Sequence, residues 1–316
     1  MTHGPDAQIT EALIQRVTLS AALLSIALIF IKGAAVDYGA YGGAIGTGAL
    51  LIAIGLFYRH SGRDDRLGST LICAGWFVLF TLSLSLFNYL LMPHWAPTFD
   101  VTLATIDAAL FGYHWPDFVE RSAGFPLLNE AMRVAYLSTL PQIAVLLVIL
   151  GLSGRMQEMY SLIRTLTIAG TAVVVFWGFL PSMGPSVLYD IAPDILAHAR
   201  PVVGPDYGRA IAALFKDGAN VLSPDEIRGL VAFPSFHIVL ALAATYFART
   251  VVWIFPVYLT INLFVLPGVL AHGGHHVVDI PAGFALFAVA AYLSHRAVLS
   301  PARNAGMVQE GEGQRA

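Results

Sequence analysis

Eight stretches of this chain carry almost no charge, and each is long enough to cross a bilayer. They fall at about residues 17–35, 42–58, 69–92, 130–152, 160–181, 231–252, 254–272 and 277–294. A helix needs roughly 20 apolar residues to span the hydrocarbon core. The composition agrees: 57% of residues are hydrophobic and only 12% are charged, whereas a soluble domain carries about a quarter charged residues. The expectation is an all-α, polytopic membrane helical bundle of about eight transmembrane helices.

The net charge of −3 gives no case for nucleic acid as a partner. Cys73, the single cysteine, lies in an apolar run and has no partner for an internal disulfide. "KGAA" (32–35) follows the first apolar run, as it would in a signal peptide. The length of that run, and the next run so close behind it, favour an uncleaved anchor instead.

Arginine sets the expected orientation. With the N-terminus inside, short inner segments hold Arg59, Arg63, Arg66, Arg155 and Arg249, while most outer cations are diluted in one long loop. Both termini are therefore expected in the cytoplasm of a cell with this protein in its inner membrane. The chain divides into N-terminal spans (1–93), a second membrane block (94–297) and a small polar tail (298–316), expected to be disordered. Gly42 and Gly46 are expected to allow close helix packing in the first block.

Two segments between the spans are unusual. Residues 94–128 mix Trp, His, Asp and Pro with apolar residues at helical spacing. They read as a helix lying at the outer interface, anchored by Trp95 and Trp115, or as a surface linker. Residues 182–230 form an outer loop far longer than the ~15 residues at which loops become functional or disordered. It holds an expected short helix, "YGRAIAALFKDG", and a second start at "SPDEIRGL", where Ser223 would cap. This loop is expected to cover a site from outside.

Polar groups concentrate at two places. "FPSFH" (233–237) opens the sixth span and "HGGHHVVD" (272–279) opens the eighth. Alternating topology brings both openings to the outer face, so His237 and His275 become neighbours in depth. His275 and Asp279, four apart, would share a helix face, and the carboxylate would fix the imidazole tautomer. His276 is three from Asp279, so spacing leaves either pairing open. Ionisable groups in a span are functional by default. His275 is the candidate nucleophile and His237 the candidate proton donor. A metal reading also stands: "HGGHH" fits the H-x-x-H-H box of membrane desaturases and hydroxylases. That site needs several boxes on the cytoplasmic side, and no second box occurs among the ten histidines.

"GLVAFPSFHIVLAL" followed by "GGHHVVDIPAG" resembles the type-2 phosphatidic acid phosphatase superfamily. The closer resemblance is to the branch containing inositol phosphorylceramide synthases. Phe233, Pro234, Ser235 and His237 match its first motif; Gly273, Gly274, His275, Asp279 and Gly283 match its second, with His276 where that branch has Tyr. "AYLSTLPQ" (135–142) and "LPSMGPSVLYD" (180–190) are also similar.

The resemblance implies a six-helix phosphatase-like core and a lipid phosphate or phospholipid substrate. It also implies a phosphohistidine formed at His275, polarised by Asp279, with His237 protonating the leaving oxygen and no metal or other cofactor. Ser235 and the helix start would bind phosphate oxygens. Two cations of the superfamily pattern are absent: Pro193 stands where Lys is wanted, and Val269 where Arg is wanted. Arg133, Arg200, Arg209 and Arg228 are the cations that could stand in for them, and Arg200, Arg228 and His272 are expected at the substrate. Three readings follow: a lipid phosphatase or phosphotransferase, a non-catalytic lipid-phosphate binder or transporter, and a metalloenzyme.

Overall fold

The computed structural model describes the backbone of residues 5–313 and the side chains of residues 6–297. The fold is an all-α membrane bundle. In lipid, backbone N–H and C=O groups must be paired within the protein, and a helix does this along its own length.

Three long helices come first: α1 (Pro5–Lys32), α2 (Tyr38–His60) and α3 (Asp65–Leu90). The Asp37 carboxylate accepts from Ala40 N–H at the start of α2, and Asp64 accepts from Arg66 and Leu67 N–H at the start of α3. Two shorter helices follow, α4 (Asp100–Phe111) and α5 (Trp115–Ala123). Then come the long α6 (Pro126–Leu152) and α7 (Met156–Phe179), the loop helices α8 (Pro193–Ala199) and α9 (Pro205–Asp217), and finally α10 (Phe236–Ala248), α11 (Phe255–His272) and α12 (Asp279–Gly313).

Five of these, α1, α2, α3, α6 and α7, are long and apolar enough to cross a bilayer on their own; α10 and α11 are shorter apolar helices. The 13 residues of α10 reach roughly 20 Å at about 1.5 Å per residue, short of a ~30 Å core. The non-helical "FPS" ahead of it is tolerated because protein surrounds it: Ser235 is fully buried.

Lipid tails are as apolar as leucine, so close packing rather than water exclusion holds such helices together. The main core lies among α1, α3, α6, α7, α10 and α12, around Ile14, Phe80, Leu146, Leu162, Val239 and Ala290. The α2–α3 hairpin closes through glycines, but not through the pair expected. A Cβ on Gly42 or Gly46 would meet nothing, whereas one on Gly55 would lie 2.7 Å from Gly68 O and one on Gly75 2.6 Å from Gly48 O. Gly42 and Gly46 sit on the exposed face of α2; the spacing of seven in Gly48/Gly55 and Gly68/Gly75 keeps those pairs on the contact face.

A two-residue parallel pairing, β1 (Ala35–Val36) with β2 (Val221–Leu222), ties the α1–α2 turn to the long loop. The expected loop helix is present as α9. At "SPDEIRGL" only one 3₁₀ turn forms, Pro224–Glu226; Ser223 makes no cap and instead its hydroxyl donates to Asp37 Oδ2 at 3.3 Å. The segment 94–128 also differs from expectation. Trp95 is 78% exposed, but Trp115 is buried and its indole N–H donates to Leu270 O at 3.0 Å. Trp115 therefore anchors α5 to α11 rather than to an interface. The expectation for the tail, 298–316, falls outside the residues described with side chains.

Candidate active site

α11 ends at His272 and α12 begins at Asp279, so the second polar motif is a turn, with Gly274 at φ +58°. His275 and Asp279 pair, though not across one helix face as their spacing suggested. His275 Nδ1 lies 2.9 Å from Asp279 Oδ2, and the same oxygen accepts from His276 N–H at 2.8 Å. An ionised Asp279 places the proton on Nδ1 and leaves a lone pair on Nε2. That nitrogen faces the Ser235 hydroxyl at 3.4 Å. Ser235 caps α10, and its N–H donates to Asp279 O at 3.2 Å, joining the two motifs directly.

His237, in the first turn of α10, stacks on Tyr136 of α6 with ring centroids 4.2 Å apart. Its ring centroid is 5.9 Å from that of His275. Both imidazoles line a cavity of about 320 Å³, together with Tyr136, Met183, Val203 and Tyr207. The loop 182–230 therefore supplies several of its walls. No Lys or Arg lines this cavity among the described residues.

The remaining expected site residues lie elsewhere. His272 is buried and turned to Asn129 O at 3.0 Å, while its carbonyl accepts from Val203 N–H at 2.8 Å. It anchors the loop to α6. Arg200 is largely exposed and paired with Glu130 at 3.0 Å; its φ of +45° is strained for a residue with a Cβ. The Arg228 guanidinium lies over the Tyr207 ring at 5.2 Å and lines a second, larger groove of about 1040 Å³. Val269 is fully buried, and its carbonyl accepts from Gly273 and His275 N–H. The three imidazoles of "HGGHH" diverge to Asn129, to Asp279 and to α4, and no group of three His, Cys, Asp or Glu among the described residues is placed to hold a metal ion.

Sequence reasoning overlooked Asp100 and Asp107. Both lie on one face of α4 and both are buried. Asp100 accepts from the Ser182 hydroxyl at 2.8 Å, Met183 N–H at 3.0 Å and Gly184 N–H at 2.7 Å. Asp107 accepts from Val277 N–H at 2.7 Å and Val278 N–H at 3.1 Å. The signal was present in "DVTLATID": two carboxylates seven apart in an apolar helix share a face. The two loops they hold meet through glycines. Gly184 has φ +88°, and a Cβ there would fall on Gly274 O.

No curated protein and no solved structure matches the chain. A family model described as the PAP2 superfamily matches residues 101–293, which holds α4 almost whole, both motifs and the cavity. With more than half its length matched and its long apolar helices, the chain is a multi-pass membrane protein of the phosphatase type and belongs to the PAP2 superfamily.

Proposed function

We propose that the protein transfers a phosphoryl or phospho-headgroup from a lipid through a phosphohistidine on His275. The observation that carries this reading is the Asp279–His275 pair at 2.9 Å, with Nε2 free to face Ser235 and the cavity shared with His237. In the first step His275 Nε2 attacks phosphorus while Nδ1–H stays on the Asp279 carboxylate. The bond to the leaving oxygen breaks as His237 donates a proton to it. In the second step His237 takes the proton of a water or an alcohol, whose oxygen displaces His275 from phosphorus. The Ser235 hydroxyl and the N–H groups at the start of α10 offer hydrogen bonds to the phosphate oxygens.

Phosphoryl transfer depends on balancing charge on those oxygens. A lining without Lys or Arg favours a singly charged phosphodiester over a doubly charged monoester. This agrees with the resemblance to inositolphosphotransferases and favours an alcohol acceptor. The inner-membrane, outer-face placement rests on the arginine bias, and the β1–β2 pairing puts the α1–α2 turn on the side of the long loop.

The test is trapping by quenching into alkaline SDS, which preserves a phosphohistidine, in purified protein with labelled phospholipids and lipid phosphates, with and without lipid or inositol acceptors. A labelled, acid-labile phosphoenzyme that vanadate suppresses and His275→Ala lacks is the expected result. Lipid binding without turnover, equal in parent and His275→Ala, would establish a non-catalytic binder instead.

A further inference from the structure

His276 stands between the two carboxylates of α4. Its Nδ1 is 3.4 Å from Asp107 Oδ2 and its Nε2 is 3.7 Å from Asp100 Oδ1. All three side chains are at most 1% exposed. A buried carboxylate is costly unless paired. A neutral imidazole has one N–H, and would turn a bare lone pair on one of the two carboxylates; only the imidazolium donates from both nitrogens. The same two carboxylates hold the backbone of Met183, which lines the cavity, and of Val277, two residues beyond His275, which also lines it.

We propose that His276 is a buried imidazolium clamped between Asp100 and Asp107, and that these three are positioning residues that fix the nucleophile turn against the cavity-lining segment at Met183. The positioning role rests on the proposed reaction; the charge of the clamp does not. Without that proton, Asp100, Asp107 and Asp279 form a cluster of three carboxylates with no facing cation, and the turn keeps only the backbone bonds to Asp107 and Asp279.

The clamp has a pH signature. The titratable groups facing His276 are Asp100 and Asp107 from α4, Asp279 from α12, His275 beside it, and Tyr113 from the turn after α4, whose buried hydroxyl is within electrostatic reach of Asp107 and Asp279. Burial opposes the charge on His276, but the facing carboxylates of Asp100 and Asp107 and the charge of Asp279 outweigh it and push the imidazole from 6.5 up to about 9. A raised folded pKa means the clamp's contribution is complete below the ordinary value and is lost as pH rises through about 9.

The experiment uses the full chain in lipid nanodiscs with isotope-labelled histidine. The His276 ring is assigned by its disappearance in His276→Tyr. The expected result is a ring protonated on both nitrogens at neutral pH. In Asp107→Asn its titration should fall by about one unit or more, as removal of a facing charge requires. The alkaline limb of kcat should move down with it, kcat should drop about 10-fold and KM should stay within about two-fold. A neutral His276 ring in the parent at neutral pH overturns the clamp. An unmoved alkaline limb and an unchanged kcat in folded Asp107→Asn overturn the positioning role. If the parent forms no phosphoenzyme and turns over nothing, the reaction reading fails by itself, and the ring's charge still decides the clamp. If the variant does not fold, the parent's spectrum decides it alone.

Discussion

Two of the buried polar networks in this bundle are built on opposite plans. One centres on Arg164 of α7, 2% exposed. Its Nε donates to Ser294 O and Oγ at 2.9 and 3.0 Å, one terminal nitrogen to Asp6 and Thr10 at 3.1 and 2.6 Å, and the other to Ser161 at 3.1 Å. All three guanidinium nitrogens are engaged, and neither described cavity touches them. The other network joins α4, α10 and the α11–α12 turn. It is carboxylate and histidine, it opens on a cavity through His275 and His237, and it leaves Asp279 Oδ1 and Ser186 Oγ without a hydrogen bond, while His276 Nε2 meets Asp100 only at the 3.7 Å of an ion pair. A buried network that is fully satisfied rigidifies a structure; one whose histidines face a void is placed to meet a substrate. Both networks hold ionisable groups in or beside membrane spans, where such groups mark function by default. The difference shows that burial alone is no guide, and that the state of the remaining donors and acceptors is.

The largest effect that would sharpen this contrast is His275→Ala. Turnover should fall by about 10⁶-fold or to the detection limit, as for other nucleophiles that act as part of a unit. The trapped phosphoenzyme should vanish, and its persistence would break the assignment. Asp279→Asn should follow at about 10⁴-fold in kcat, since the amide cannot hold the Nδ1 proton in place as a carboxylate does; a pre-steady-state measurement of phosphoenzyme formation checks this. Arg164→Met should do the reverse. Thermal unfolding in detergent should show a loss of about 2–4 kcal/mol, because the Asp6 carboxylate loses its partner and three helices lose their tie. The kcat of the folded fraction should stay within about three-fold of the parent. A kcat loss as large as that of Asp279→Asn would erase the distinction between the networks. Smallest is Thr10→Val, which removes one bond to Arg164 and should cost about 1 kcal/mol in the same melt.

Much of this was legible in the residues. The apolar runs gave the helices, and "YGRAIAALFKDG" gave α9. The alternation of spans brought "FPSFH" and "HGGHHVVD" to one end, where Ser235 Oγ and His275 Nε2 do face each other. Other inferences reached a right partner by a wrong geometry: His275 pairs with Asp279 from a turn, not from a shared helix face. Trp115 looked like an interface anchor because Trp, Pro and Asp together resemble a membrane edge; its indole instead reaches Leu270, 155 residues away. Arg200 and Arg228 looked like phosphate ligands because cations were wanted nearby; Glu130 and Tyr207 hold them elsewhere.

By itself the sequence determined what its local periodicities can encode. Long apolar runs must become helices in lipid, because no other open arrangement satisfies their backbone. Motif spacing narrows the partner of Asp279 to His275 or His276 and carries the family to which the chain belongs. Only the tertiary structure decided which helix stands behind the nucleophile. Asp107 and Val277 are 170 residues apart, and nothing in either segment encodes that their atoms meet at 2.7 Å. A carboxylate on a helix face looks the same in sequence whether it faces water, an arginine or a backbone N–H. Its role is set by the chain that packs against it, and packing between distant segments is a property of the whole bundle.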